Sequence, residues 1–272
     1  MNRTPYALLV LMLTVLPLSA VADALQQGIE AAQRGQPQRA IELWTPLARD
    51  GHVAAQYNLC LVYFNDGRGV PQNDALAARW CEAAARQNHA QAQNLTAVLH
   101  SEGRGVRENP MQATYWYRRS ANGGYARAQH NLGYNYEHGI GTGSNQRMAY
   151  VWYKRAAEQG YVPSKTNLGN LYSEGRGTGK NLAQAAYWYE QAAIQGDALA
   201  MLNLGTLHAL GEGVALDNVR AYMLLRYAFL SGVEKATDNL EVVSRRLTPQ
   251  QRNTADQRLS RWQVGQPLPG PK

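Results

Sequence analysis

A chain of 272 residues, 45% of them apolar and with a formal net charge of +7, is long enough to bury a substantial core. It has two cysteines and no Cys-x-x-Cys, and it lacks Gly-x-Ser-x-Gly, His-Glu-x-x-His, a phosphate loop after a strand and a calcium loop, so the sequence carries no signature of the familiar hydrolase, zinc-protease, nucleotide and calcium chemistries. The positive charge comes without a recognition-helix or basic-aromatic motif, which argues against nucleic acid as a partner.

In chain order, Arg3 precedes an apolar run from Ala7 to Val21, and Ala20-Val21-Ala22 offers small residues at the −3 and −1 places of a signal-peptidase site. Residues 1–22 are therefore expected to be a secretory signal peptide cleaved after Ala22, leaving a periplasmic or secreted product with no membrane insertion. Residues 23–51 read as an incomplete leading repeat, of which Ala40 to Gly51 is the second helix.

From residue 52 to 231 five copies of a 36-residue unit follow. Trp80, Trp116, Trp152 and Trp188 recur at that spacing, as do the pairs Gly67/Gly69, Gly103/Gly105, Gly139/Gly141, Gly175/Gly177 and Gly211/Gly213. A period in this range marks a repeat array in which each unit buries its apolar face against its neighbours. Asn73, Asn109, Asn145, Asn181 and Asp217 fall where a side-chain oxygen can cap a new helix. Gly124, Gly160, Gly196 and Gly232, with Asn88 in the first copy, take the place of a left-handed C-terminal cap. Each unit is thus a helix hairpin. Residues 232–262 are expected to form C-terminal capping helices, and 263–272, rich in Gly and Pro, a disordered tail.

The segment Asn167-Leu168-Gly169-Asn170-Leu171-Tyr172-Ser173-Glu174-Gly175-Arg176-Gly177, followed by Ala185-Ala186-Tyr187-Trp188-Tyr189, resembles the Sel1-like repeat family of the tetratricopeptide-like superfamily, in its exported bacterial form. The likeness covers about residues 25 to 262. It implies an all-α fold, a right-handed α-solenoid of helix-turn-helix repeats, whose first helices line a concave groove. Positions two before and two, five and six after the repeated leucine place would point into it. That selects Asn58, Asn94, His130, Tyr134, Glu137, His138, Thr166 and Asn170; in the fifth copy Asn203, one before the leucine place, is taken with them. Side-chain amides offer donors and an acceptor to an extended backbone; the alternative is that Asn is merely tolerated beside a helix turn.

Cys60 and Cys81 lie nearly equidistant from the turn around residue 70, with Cys60 in the leucine place and Cys81 beside Trp80. Antiparallel helices would bring them level, so a disulfide and a pair of buried thiols both stand as readings. Arg68, Arg104 and Arg176 centre three of the Gly-x-Gly turns, either as a basic edge or as solvated turn residues. His130, Tyr134, Glu137 and His138 share one helix, but two histidines eight residues apart cannot share a metal on a straight helix, so no metal and no cofactor is expected.

The resemblance implies a non-enzymatic protein-protein interaction scaffold of the bacterial envelope: a regulator, an adaptor, or an immunity protein against a type VI secreted effector. The alternative is a peptidoglycan-active or β-lactam-binding enzyme of the cysteine-rich branch of the family. No nucleophile–base pair and no two-cysteine-per-repeat pattern supports it.

Overall fold

The computed structural model describes residues 18–65 and 69–268. Among the described residues there are fourteen helices and no strand. The chain divides into two compact units, residues 1–87 and 88–272, each an array of helix hairpins of the helical-repeat solenoid class.

The first unit holds α1 (Leu18–Gln33), α2 (Pro37–Arg49), α3 (Val53–Phe64) and α4 (Asp74–Arg86). Residues 1–17 of the expected leader lie outside the described residues, and 18–22 open α1. The leading repeat is a complete hairpin, not a lone second helix, because α1 packs along α2. Gly28 lets the buried Trp44 approach α1 so closely that a Cβ there would sit 2.2 Å from the indole nitrogen, which donates to the Leu25 carbonyl at 3.2 Å.

The second unit holds α5 (Ala90–Glu102), α6 (Pro110–Asn122), α7 (Ala126–His138), α8 (Gln146–Glu158), α9 (Val162–Glu174), α10 (Leu182–Ala193), α11 (Ala198–Leu210), α12 (Asn218–Leu230), α13 (Ala236–Arg245) and α14 (Pro249–Arg261). Each helix packs on the next in sequence up to α13, while α14 folds back onto α12.

The punctuation works as local rules require. Asn109, Asn145, Asn181 and Asp217 each accept from the backbone N–H three residues on, at 2.9–3.1 Å. Gly103, Gly139, Gly175 and Gly211 close the preceding helices in the left-handed conformation. Bonds such as Asn145 N–H to Tyr136 C=O, 2.7 Å, then staple each turn shut. Trp116 and Trp152 are buried, with Arg119 and Arg155 lying over their rings at 5.5 and 4.7 Å.

One register differs from the sequence reading. The N-caps of the first helices, His52 and His89, are 37 residues apart, against 36 from Tyr125 to Tyr161 and from Tyr161 to Asp197. The extra residue lies in the stretch between α3 and α4, of which 66–68 lie outside the described residues. Leu59, fully buried, therefore holds the leucine place, and Cys60 holds the place occupied by Gly133, Gly169 and Gly205 in later copies. Those glycines exist because Tyr153, Tyr189 and Leu225 press against their helix: a Cβ would meet them at 2.9, 2.5 and 3.0 Å. Cys81 stands in the same place as these partners, and here the contact is a disulfide, Cys60–Cys81, with Cα atoms 4.9 Å apart. One inter-helix position is thus locked by packing in some hairpins and covalently in the first.

Where a disordered tail was expected, residues 263–268 follow a defined path in which Leu268 is buried and 263–267 are exposed. Leu268 is only 9% exposed, and the Gly265 N–H donates to the Ile194 carbonyl at 2.7 Å. An apolar socket next to the last helix outweighs the freedom that Gly and Pro would otherwise retain; residues 269–272 lie outside the described residues.

Candidate functional site

The residues chosen for the groove on α7 do come together with groups from α8, α9 and the turn after α9. Tyr134, 45% exposed, lies against His138 with ring centroids 4.2 Å apart and planes tilted by 49°, as residues four apart on one helix can. Glu137, one turn from Tyr134, is far less accessible. It accepts from the Tyr153 hydroxyl at 2.7 Å and pairs with Arg176, which also pairs with Glu174 and reaches the Gln146 amide oxygen at 3.4 Å. Burial, reinforced by the Glu137 carboxylate, pushes the Tyr153 phenol far above its ordinary value, so it stays a hydrogen-bond donor.

His130 lies deeper, between Tyr153 and Tyr161 at centroid distances of 5.4 and 5.2 Å, with Nδ1 2.9 Å from the Ser164 hydroxyl. Burial pulls its pKa from 6.5 down to about 4, against the opposing pull of Glu137. A histidine depressed in this way takes up its proton more readily in the unfolded chain. Its contribution is full above about pH 6.5 and is lost as the pH falls toward 4, on the order of 2–3 kcal/mol. A His130→Asn variant is expected to flatten this part of the stability curve in urea unfolding between about pH 4 and 7. An unchanged slope would assign the acid sensitivity to carboxylates instead.

The amide row is arranged differently from the expectation. Asn94 is 2% exposed and accepts from the Asn131 side chain at 3.3 Å, so it is not offered to a partner. Thr166 is buried as well, its hydroxyl without a hydrogen-bond partner. Asn170 accepts from the Tyr189 hydroxyl at 2.7 Å and from Asn203 at 3.1 Å, and Thr206 accepts from Asn239 at 3.0 Å. The amide bonds from Asn131, Asn203 and Asn239 tie consecutive first helices to one another, and the Tyr189 bond joins α10 to α9. The residues that sequence reasoning missed are Asn131, Asn167 and Asn239, which with Asn203 recur every 36 residues one position before the leucine place. The period itself carries that signal. The one-residue slip puts Asn58 in the same place, not two before the leucine; it is half-buried on α3 and lines a cavity of about 420 Å³ with Trp44, Leu61 and Val62.

The arginine edge is not a row of free cations. Arg104 pairs with Glu102 at 3.4 Å, and Arg176 is held by two carboxylates. Arg68 lies outside the described residues. The local charge is therefore largely compensated, which removes the reason to rank a polyanion as ligand. Among the described residues no group of three or more His, Cys, Asp or Glu is placed to hold a metal ion, and no helix is long and apolar enough to cross a membrane.

The family model described as Sel1 repeat matches residues 18–52, 53–89, 90–125, 126–161, 162–197 and 198–233. The chain belongs to the Sel1 repeat family. Its repeats number six, since the leading hairpin counts as one in full. A solved structure of a protective antigen of uropathogenic Escherichia coli displaying an SLR fold is 31% identical, with a TM-score of 0.79 over 86% of this chain. This Sel1 repeat chain spans about half of that structure, 51%. A Sel1 repeat protein of Oxalobacter formigenes is 28% identical with a TM-score of 0.75, and the match covers 86% of this chain and 97% of that one. No curated protein matches the chain. Sel1 repeat proteins are in general protein-interaction scaffolds.

Proposed function

We propose that this Sel1 repeat protein is an exported, non-enzymatic scaffold that binds a folded protein partner of the bacterial envelope through the α7 face. The observation that carries this reading is the Tyr134/His138 ring contact, exposed to solvent yet seated beside the Glu137–Tyr153–Arg176 bonds. An aromatic held in one geometry loses little side-chain freedom on binding, which is the character of an interface anchor. The acid, the phenol and the buried histidine beside it are committed to internal bonds, and this favours binding over turnover.

Export is supported by the apolar leader read from residues 1–22 and by the Cys60–Cys81 bond, since disulfides persist in oxidising compartments. The regulator, adaptor and type VI immunity versions of this reading differ only in the partner. The test compares the native chain with a Tyr134→Ala/His138→Ala variant in capture of a binding partner from the envelope fraction. Capture is expected to weaken at least about tenfold with an unchanged helical spectrum, because two side chains at the centre of an interface commonly carry that much. Full capture by the variant would move the interface off α7.

A further inference from the structure

The end of the described chain behaves as a ligand seated in a receptor. After α14, Trp262 packs edge-on against Tyr227, ring centroids 5.4 Å apart, and its indole N–H donates to the Gln266 carbonyl at 3.1 Å. The chain then turns, and the Gly265 N–H donates to the carbonyl of Ile194 at the end of α10. Leu268 enters an apolar socket made by Met201 of α11, Met223 and Leu224 of α12, and Leu259 of α14. It fills that socket almost completely, leaving about 10 Å³.

The rest of the segment is hardly held. Gln263, Val264, Gly265, Gln266 and Pro267 are all exposed, so apart from the Trp262 bond and Val264 beside Gly196 the segment is held by the Gly265 backbone bond and the Leu268 side chain. One main-chain hydrogen bond plus one apolar pocket is how receptor surfaces read extended peptides. A segment with so few buried contacts belongs to the low-stability end of a fold and opens without unfolding the rest. Met201, Met223 and Leu224 of the socket wall belong to a core cluster set by helix packing.

We propose that the socket between α11, α12 and α14 is a peptide-binding site for an extended segment bearing a leucine three residues after a backbone donor, occupied in cis by residues 263–268 and able to take the same segment from a second copy of this chain. The second copy is the committed trans occupant because its segment is identical and therefore complementary. The segment is also free of helical structure that would have to melt on transfer. In cis it competes at about millimolar effective concentration, which holds exchange in check until the segment is weakened or protein is concentrated.

The test uses the full chain and a synthetic peptide of residues 263–272. A Leu268→Ser chain is expected to bind the peptide at least about tenfold more tightly than the native chain, read by fluorescence anisotropy of a dye-labelled peptide, because its own segment no longer competes. A peptide carrying the same Leu→Ser change is expected to fail. Equal affinity for both chains, or no binding to a Leu268→Ser chain with a native helical spectrum, would overturn the proposal. Should that variant not fold, amide exchange in the native chain decides. Excess peptide is expected to speed exchange at Gly265 by displacing the segment, and unchanged exchange at Gly265 under excess peptide would overturn it.

Discussion

Replacing Tyr153 by alanine is expected to lower the free energy of unfolding by about 3–5 kcal/mol, the range for truncating a large aromatic in a packed core. Tyr153 is fully buried, its ring lies against Gly133, which has no side chain to fill the space, and its hydroxyl is a partner of Glu137. The alanine variant opens a cavity and also leaves a shielded carboxylate with one fewer donor. Tyr153→Phe separates the two effects. It keeps the ring and removes only a hydrogen bond to a charged group, so a loss of about 1.5–3 kcal/mol is expected. Arg176 still pairs with Glu137, which places the loss toward the lower end. Urea unfolding followed by circular dichroism measures both. An alanine variant no less stable than the phenylalanine variant would show that the ring is not a packing keystone.

The second large effect is expected at a turn. Gly177 has φ +68°, and a Cβ there would stand 2.0 Å from the carbonyl oxygen of Gln146 and 2.4 Å from its carbon. The obstacle is backbone at the first turn of α8 and cannot rotate aside. Gly160 is also left-handed, φ +90°, but has nothing within 4 Å of the same position. Gly160→Ala should therefore cost only the conformational strain, about 1–2 kcal/mol. Gly177→Ala adds a steric conflict between successive hairpins and should cost roughly 2–5 kcal/mol. Thermal unfolding of the two variants side by side decides it; equal losses would mean that the contact between the turn after α9 and the start of α8 relaxes without penalty.

Hairpin boundaries were legible because each depends on residues within one turn of helix. An Asn oxygen finds the N–H three residues on, and a glycine takes positive φ, whatever the rest of the chain does. The leading hairpin was harder, because α1 has no Trp of its own, and its evidence is Gly28, whose meaning appears only beside Trp44. The register slip in the first repeat escaped because the Gly-x-Gly pairs and the second helices keep the 36-residue beat, which hides one extra residue in the stretch between α3 and α4.

By itself the sequence determined the all-α class, the hairpin unit, its caps and the levels at which Cys60 and Cys81 meet, since these follow from spacing and local geometry. Only the tertiary structure decided which polar side chains are available. Asn94 looks in sequence like a groove residue, yet Asn131 in the next hairpin uses it up. Arg176 looks like a free cation until Glu137, 39 residues earlier, is brought to it. Leu268 looks like part of a loose tail until α11, α12 and α14 make a hole of its size. In each case at least one deciding partner is a whole repeat or more away along the chain. Local propensity does not reach that far, and packing of one hairpin on the next does.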